Sequence, residues 1–266
     1  MTATATDREI VVHRPWPVPA APWAVAMNWH DLLFLHWPVR PETLRPLVPS
    51  ALAIDTFDSW AWIGVIPFRM TGVRHRLLPA IRPFSAFPEI NVRTYVTSPG
   101  RSGVWFLSLD ATSWLSVRVA RSWYGLPYHD ARIRLEREGH SIHYRSERRA
   151  RNGRAAPMAR FDATYTPTGD PFRAERGTLE HWLVERYCLY SADRRGRVFI
   201  GDVDHAPWPL QPAEAEVRVN TMTAPLGIGL PRMAPVCHFA RRLDAVAWSV
   251  RPVDAADPSA RAAAGW

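Results

Sequence analysis

The chain has 266 residues, 47% of them apolar and 13 of them tryptophan, which excludes a chain that is disordered throughout. It has no apolar run of the roughly 18 residues that a membrane span needs and no basic start followed by an apolar stretch, so we expect a cytoplasmic protein that neither enters a membrane nor is exported. The net charge of +8 arises entirely from arginine, because the chain contains no lysine, and this one-sided usage indicates a biased genome more than a polyanionic partner.

Three parts of the chain differ in composition. Residues 1–26 are rich in Thr, Ala and Pro and predict an extended arm laid on the surface. Residues 27–251 alternate polar and apolar side chains with period two, which predicts one domain built mainly of strands. Residues 252–266 have no pattern and predict a frayed tail. Strands are predicted at 32–37, 59–70, 88–97, 103–110, 131–136, 141–147, 159–165, 197–203, 214–220, 236–241 and 244–251.

Helices are few. The spacing predicts a short one at 41–48, a second at 113–124 that stops at Gly125, and a third at 178–190 with Thr178 as its N-cap. So many strands with a few short outer helices indicate a mainly β fold of the α+β kind, either an antiparallel barrel or two curved sheets.

One strand has an unusual polar face. Glu89, Asn91, Arg93 and Tyr95 alternate with apolar residues between positions 87 and 97. A carboxylate, an amide, a guanidinium and a phenol in line suit a small polar ligand, and we expect them to face the barrel interior. The alternative is that this face meets solvent, and alternation alone does not choose between the two.

Cysteine and histidine give weaker signals. Cys188 and Cys237 are far apart and are expected to be free thiols in a reducing compartment. No histidine spacing predicts a metal site, and we expect neither a metal nor a cofactor.

Several segments resemble a known family. They include Phe87-Pro88-Glu89-Ile90-Asn91-Val92-Arg93, Gly125-Leu126-Pro127-Tyr128-His129, Glu185-Arg186-Tyr187-Cys188 and His205-Ala206-Pro207-Trp208. In this order they resemble the YqjF-like family of uncharacterised bacterial proteins, which lies within the acetoacetate decarboxylase-like superfamily. The resemblance implies the β-barrel of that superfamily for residues 27–250.

The resemblance also assigns site positions. In the decarboxylase a Gly-x-Pro-Lys-Lys turn supplies the lysine that forms a Schiff base and the neighbour that lowers its pKa. Here Tyr128 and His129 stand at those two positions, and Glu89 matches the glutamate of the same pocket. Adjacent strand residues face opposite sides, and of the two we favour Tyr128 as the one in the pocket. A chain without lysine cannot use the decarboxylase mechanism.

Two hypotheses of function follow. The first is a barrel that encloses a small carbonyl or carboxylate compound, with Arg93, Asn91 and Tyr95 binding the ligand. Glu89, Tyr128 or His129 would then act in a Schiff-base-independent lyase, hydratase or isomerase reaction. The second is a non-catalytic binder or sensor. Nucleic-acid binding through the arginines ranks below both, since the basic residues are dispersed and no binding motif is present. A homo-oligomer is compatible with the sequence.

Overall fold

The computed structural model describes residues 13–80, 85–98, 100–112, 125–149 and 159–253. The predicted helix at 113–124, residues 1–12 of the arm and residues 254–266 of the tail lie outside these described ranges. The strands are β1 (Val25–Val39), β2 (Ala53–Ile54), β3 (Ala61–His75), β4 (Phe87–Ser98), β5 (Arg101–Ala111), β6 (Tyr128–Glu138), β7 (Ser141–Arg148), β8 (Arg160–Pro167), β9 (Cys188–Ala192), β10 (Val198–His205), β11 (Gln211–Asn220), β12 (Val236–Ala247) and β13 (Arg251–Pro252). The α-helices within the described ranges are α1 (Pro41–Leu44) and α2 (Leu179–Val184), and 3₁₀ helices lie at Arg45–Leu47 and Ala224–Leu226. None of these helices has the length or the apolar character to cross a membrane.

Nine strands close into a barrel. Antiparallel pairing runs through β6, β7, β8, β11, β12, β1, β3, β4 and β5 in that order, and parallel pairing of β5 with β6 completes the circuit. Every strand of the circuit contributes side chains to one apolar cluster, whose largest buried members include Tyr144, Phe161, Tyr165 and Phe239. The interior of this nine-strand barrel is therefore a packed core.

A second closed circuit lies against one side of the barrel. β9 pairs with β5 and with β10, and β10 pairs with β12, so β9 and β10 enclose the outer face of β12, β1, β3, β4 and β5. We call the space between them the β9–β10 compartment. Phe34, Phe68, Leu183 and Trp208 are among the buried residues that pack in it. Strand β4 therefore has two buried faces.

A bulge in β1 changes which residues face the compartment. The pairing of β1 with β3 shifts register between His30 and Leu35, and Asp31 has a φ of 57°. Aspartate tolerates this left-handed conformation better than most residues. Met27 and Trp29 face the compartment before the bulge, whereas Leu32 and Phe34 do so after it. The side-chain alternation thus moves from odd to even positions.

A second bulge has the same effect in β5. Val92 pairs with Ser108 and Arg93 pairs with Phe106, which leaves Leu107 as the extra residue. Leu107 packs in the barrel core, while Phe106 and Leu109 both line the compartment. Neither bulge is evident from the alternation of the sequence.

The structure corrects three of the predicted elements. The helix predicted at 178–190 ends at Val184, and Cys188–Ala192 is strand β9. Thr178 is the N-cap as predicted, since its side chain accepts a hydrogen bond from the His181 amide. Pairing with β5 and β10 overrides the helical spacing of the second half. The strands predicted at 236–241 and 244–251 are not separate, because the single strand β12 contains all of the first and residues 244–247 of the second.

The described part of the arm lies along β10. His13 Nε2 donates to the His205 carbonyl oxygen at 2.9 Å, and Arg14 forms an ion pair with Asp204 at 2.6 Å. Trp16 Nε1 donates to Asp202 at 3.1 Å. These contacts fix residues 13–16 against the outside of the compartment wall.

Candidate functional site

The β9–β10 compartment contains a cavity of about 620 Å³. This volume lies within the range of about 300–1,000 Å³ that is typical of small-molecule sites. Its walls come mainly from β1, β3, β4, β5, β9 and β10, with single residues from β6, α2 and β12, and are mostly apolar. The polar side chains that line it include Glu89, Asn91, Arg93, Tyr128, Arg186 and His205.

Strand β4 places three of the predicted residues on the cavity wall. Glu89, Asn91 and Arg93 line the cavity, whereas Ile90 and Val92 are fully buried in the barrel core. From the sequence alone, the polar face of this strand was expected to point into the barrel. The structure instead turns the apolar face into the nine-strand barrel and the polar face into the β9–β10 compartment. The period-two pattern showed which residues share a face of the strand. It did not show which face lies inside the nine-strand barrel and which lies inside the β9–β10 compartment.

Glu89 is a buried carboxyl group with a strongly altered acidity. Its exposed fraction is 2%. Burial raises the pKa of Glu89 to about 8; hydrogen bonds from Tyr128 and Asn91 oppose the increase, and the nearby charge of Asp110 adds to it. The protonated and ionised forms of Glu89 therefore both exist near neutral pH, which is a property of catalytic acids and bases.

Tyr128 reaches Glu89 from the neighbouring part of the wall. Its hydroxyl donates to Glu89 Oε2 at 3.0 Å. The turn that places it depends on Gly125, which has a φ of 62° and lies close enough to the Ala192 carbonyl oxygen that a Cβ atom would sit 3.3 Å from it. Leu109 then donates its amide to the Pro127 carbonyl at 3.1 Å, and Tyr128 pairs with Leu109 at the start of β6. A left-handed residue in contact with another strand favours glycine there.

His129 and Tyr95 lie outside the described cavity wall. His129 is half-buried, pairs in register with Asp110 and is absent from the described lining, as expected for the residue that follows Tyr128 on a strand. Tyr95 is fully buried, and its hydroxyl lies 2.7 Å from His36 Nε2 beyond the end of the cavity. Of the predicted site residues, the structure thus brings together Glu89, Asn91, Arg93 and Tyr128.

Arg93 is the basic residue that the sequence placed in the site. Its guanidinium carbon lies 5.6 Å from the centre of the Phe34 ring and 5.7 Å from that of Tyr95. No described carboxylate forms an ion pair with it, and its buried Nε has no hydrogen-bond partner among the described residues. Gly64 pairs with Arg93 across β3 and β4, and a Cβ there would lie 3.0 Å from the His36 ring and 3.4 Å from the Arg93 side chain. Because Gly64 has no side chain, there is room at this position for the side chain of Arg93.

Arg186 is a site residue that the sequence analysis missed. It follows α2, is 8% exposed and lines the cavity. Its Nη1 donates to Asp55 at 2.6 Å and its Nε donates to the Trp182 carbonyl at 2.7 Å, whereas Nη2 is buried without a partner in the described chain. The sequence had placed this arginine within the helix predicted at 178–190, so no signal in the local pattern marked it as a cavity residue.

His205 and two tryptophans complete the wall. His205 Nδ1 lies 2.8 Å from the Ala206 carbonyl oxygen and Nε2 lies 3.2 Å from that of Arg186, and burial lowers the pKa of the imidazole. Trp29 and Trp208 stack with ring centres 5.6 Å apart. The described residues contain no cluster of His, Cys, Asp and Glu suited to a metal ion.

A buried ion pair stands next to Glu89. Asp110 is fully buried and accepts two hydrogen bonds from Arg148, at 2.8 and 2.7 Å. Burial raises the pKa of Asp110, while the hydrogen bonds and the charge of Arg148 lower it. Asp110 in turn raises the pKa of Glu89. The pair therefore forms part of the electrostatic environment of the site.

Comparison with known proteins places the chain in a family. The family model DUF2071, described as an uncharacterized conserved protein, matches residues 26–244. The chain belongs to the DUF2071 family. A curated relative, the uncharacterized protein YqjF of Bacillus subtilis (strain 168), is 45% identical over 234 residues, which cover 88% of this chain and 94% of the relative. The YqjF-like assignment drawn from the sequence motifs is confirmed.

Solved structures show the fold of this DUF2071 chain. An acetoacetate decarboxylase from Legionella pneumophila matches with a TM-score of 0.60 at 13% identity, covering 96% of this chain and 98% of that protein. The enduracididine biosynthesis enzyme MppR complexed with pyruvate matches with a TM-score of 0.59 at 10% identity, covering 88% and 91%. The predicted acetoacetate decarboxylase-like fold, mainly β with few helices, is confirmed, and at these identities the likeness concerns the fold alone.

Proposed function

We propose that the protein binds a small compound carrying a carbonyl and a carboxylate and moves a proton on it without forming an imine. The observation that carries this proposal is the 3.0 Å hydrogen bond from Tyr128 to Glu89 at a buried position of the cavity wall. A base with a pKa near the working pH is the most effective general base, and the pKa of Glu89 is about 8.

The proposed step is enolisation. The Glu89 carboxylate takes the proton from the carbon next to the substrate carbonyl, and the C–H electron pair becomes the C=C bond of an enolate. Negative charge thereby moves from the carboxylate to the substrate oxygen. The Tyr128 hydroxyl, which donates to the carboxylate before the step, can then donate to the enolate oxygen, so the hydrogen bond follows the charge.

Two further groups support this assignment. The Arg93 guanidinium, which has no carboxylate partner among the described residues, would hold the substrate carboxylate. Asn91, whose buried Oδ1 has no described partner, would accept a hydrogen bond from the ligand. MppR, a protein of the same fold, binds the keto acid pyruvate. An enolate is an intermediate that lyase, hydratase and isomerase reactions on such compounds can share.

The thiols support a cytoplasmic setting for this activity. Cys188 and Cys237 are both free, and burial raises the pKa of each to about 12. A neutral thiol at these positions is a small apolar group with no part in the proposed chemistry.

Tyr128→Phe is expected to slow proton exchange far more than it weakens binding. A preorganised donor to a developing oxyanion is worth about 2–4 kcal/mol, whereas a neutral hydrogen bond contributes about 0.5–1.5 kcal/mol to affinity. Keto acids that raise the melting temperature would be incubated with each protein in D₂O, and loss of the signal from the proton next to the carbonyl would be followed by NMR.

Tyr144→Phe provides the matched control. The Tyr144 hydroxyl donates to the backbone carbonyl of Glu89 at 2.7 Å, but from the barrel core. This variant should lose a little stability and keep the exchange rate. If Tyr128→Phe and Tyr144→Phe exchange at equal rates, the assignment of Tyr128 fails. If the wild type binds keto acids tightly and exchanges no proton, the protein is a binder or sensor instead.

Arg93→Ala is expected to weaken binding of a keto acid by about 10- to 150-fold, the equivalent of a charged hydrogen bond of about 1.5–3 kcal/mol. Arg134→Ala removes an exposed arginine on β6 and should leave binding unchanged. Equal affinities for the two variants, measured by calorimetry, would place the ligand elsewhere.

The absence of lysine gives a sharp negative expectation. Incubation with acetoacetate and borohydride should leave no covalent adduct on an internal side chain, because only the terminal amine can form an imine. Mass spectrometry of the digested protein measures this. An adduct on an internal residue would contradict the proposed mechanism.

A further inference from the structure

The cavity has a polar end and an apolar end, and strands β3 and β4 set their order. Cross-strand pairs succeed one another along the wall: Gly64 with Arg93, Ile66 with Asn91, Phe68 with Glu89, and Met70 with Phe87. Arg93 and Glu89 are four positions apart, a rise of about 13 Å between their Cα atoms along the strand. A ligand lying along this wall therefore meets a guanidinium first, then the Glu89 carboxyl group, and then apolar side chains.

Two guanidiniums define the polar end. Arg93 and Arg186 approach the ring of Tyr95, with their guanidinium carbons 5.7 and 4.8 Å from its centre. Asp55 pairs with Arg186, while no described carboxylate pairs with Arg93. Each arginine also has a buried nitrogen without a partner among the described residues, Nε of Arg93 and Nη2 of Arg186. The polar end therefore has an uncompensated positive charge and unused donors, which suit an anion.

The apolar end is too extensive for a ligand of three or four carbons. Beyond Glu89 the lining is mainly apolar, with Met27, Trp29, Met70, Val73, Phe87 and Leu78, and the polar residues of this end are Arg74, His75 and Ser85, close to Leu78 and Phe87 in the chain. This end leads to the surface at Leu78, which is 59% exposed. A short keto acid held at the arginines would leave these apolar walls facing water, whereas an alkyl chain would cover them.

We infer that the substrate is a keto acid with a medium-length alkyl chain, whose carboxylate binds at Arg93 and Arg186 and whose chain fills the apolar end. This inference rests on the proposed function for the position of the carbonyl at Glu89 and Tyr128. What it adds is the order in which the groups of the ligand lie along the cavity: the carboxylate first, then the carbonyl, then the alkyl chain, which points toward Leu78.

The test measures binding of straight-chain carboxylates from butanoate to dodecanoate by calorimetry. Each added methylene should tighten binding by about four-fold, the fold-change that corresponds to about 0.8 kcal/mol per buried CH₂, until the chain reaches the opening. Octan-1-ol, which lacks the carboxylate, should bind much more weakly than octanoate. In Arg93→Ala the difference in affinity between octanoate and octan-1-ol should shrink, while the gain in affinity per added methylene should stay the same.

Variants at the apolar end complete the test. Val73→Trp should abolish the gain for long chains and leave the affinity for butanoate unchanged. Because that variant adds bulk, Leu78→Asp serves as a second probe, with Leu77→Asp as its control. Leu77 is also exposed, at 81%, but is absent from the described lining. Leu78→Asp should weaken decanoate binding at least ten-fold, and Leu77→Asp should not.

An affinity that does not change with chain length, or equal effects of the Leu77 and Leu78 variants, would overturn the inference. The proposed function fails by a different result. If long acids bind as expected and no keto acid exchanges its proton, the inferred class of ligand is supported and the proposed enolisation is rejected. If short keto acids exchange their protons and longer acids bind no better, the proposed enolisation is supported and the inferred alkyl chain of the substrate is rejected.

Discussion

Replacing Glu89 with glutamine is expected to remove a large pH dependence of stability. Burial raises the pKa of Glu89 from 4.5 to about 8 in the folded protein. Between these values the folded state holds a proton that the unfolded state has released, so stability falls as pH rises. The stability that the neutral carboxyl group confers is fully present below pH 4.5 and lost as pH passes 8. The change amounts to about 5 kcal/mol at most.

Urea unfolding of the wild type and of Glu89→Gln between pH 4.5 and 9 measures this effect. Glutamine stays neutral, so the free energy of unfolding of the variant should exceed that of the wild type increasingly toward alkaline pH. Other titrating groups contribute equally to both proteins and cancel in the difference. Glu214→Gln, at an exposed position of β11, should follow the wild type. Parallel profiles for wild type and Glu89→Gln would show that Glu89 ionises as an ordinary carboxyl group.

Arg148→Met is expected to destabilise the protein by about 3–5 kcal/mol. Arg148 and Asp110 form a two-bond ion pair with side chains only 6% and 0% exposed. Removing the arginine leaves a buried carboxylate without its counter-charge, and breaking a buried pair in this way has a large penalty. The double variant Asp110→Asn/Arg148→Met should recover most of the loss, since it removes both charges.

The neighbouring Arg145 gives the matched control for this prediction. It lies on the same strand and pairs with Asp162, but its side chain is 62% exposed. Arg145→Met should change stability by about 0–1 kcal/mol, the usual range for exposed ion pairs. Chemical denaturation of the three variants at neutral pH measures the differences. A loss for Arg148→Met no larger than for Arg145→Met would mean that the buried pair has no net role.

The sequence predicted the strands of the fold far better than their arrangement. Alternation correctly separated Ile90 and Val92 from Glu89 and Arg93, because both faces of β4 follow a regular period of two. It could not show that both faces are buried, since the covering strands β9 and β10 lie about a hundred residues away. The segment that forms β9 was assigned to a helix for the same reason.

The candidate site divides in a similar way. Glu89, Asn91 and Arg93 came from the pattern of one strand, whereas Tyr128 came only from the resemblance of the Gly-Leu-Pro turn to a known motif. Nothing local to Tyr128 indicates contact with Glu89, because that contact depends on the pairing of β6 with β5 and of β5 with β4. Arg186 was missed because its role depends on where α2 ends.

The bulges at Asp31 and Leu107 bear on how this cavity could be redesigned. A mutagenesis library that randomised every second residue along β1 would pass from the cavity at Trp29 into the barrel core at Leu33, where substitutions are expected to destabilise the protein. A library confined to Met27, Trp29 and Leu32 would change the ligand site alone. The two extra residues thus separate the positions that can vary for specificity from those that must stay fixed for folding.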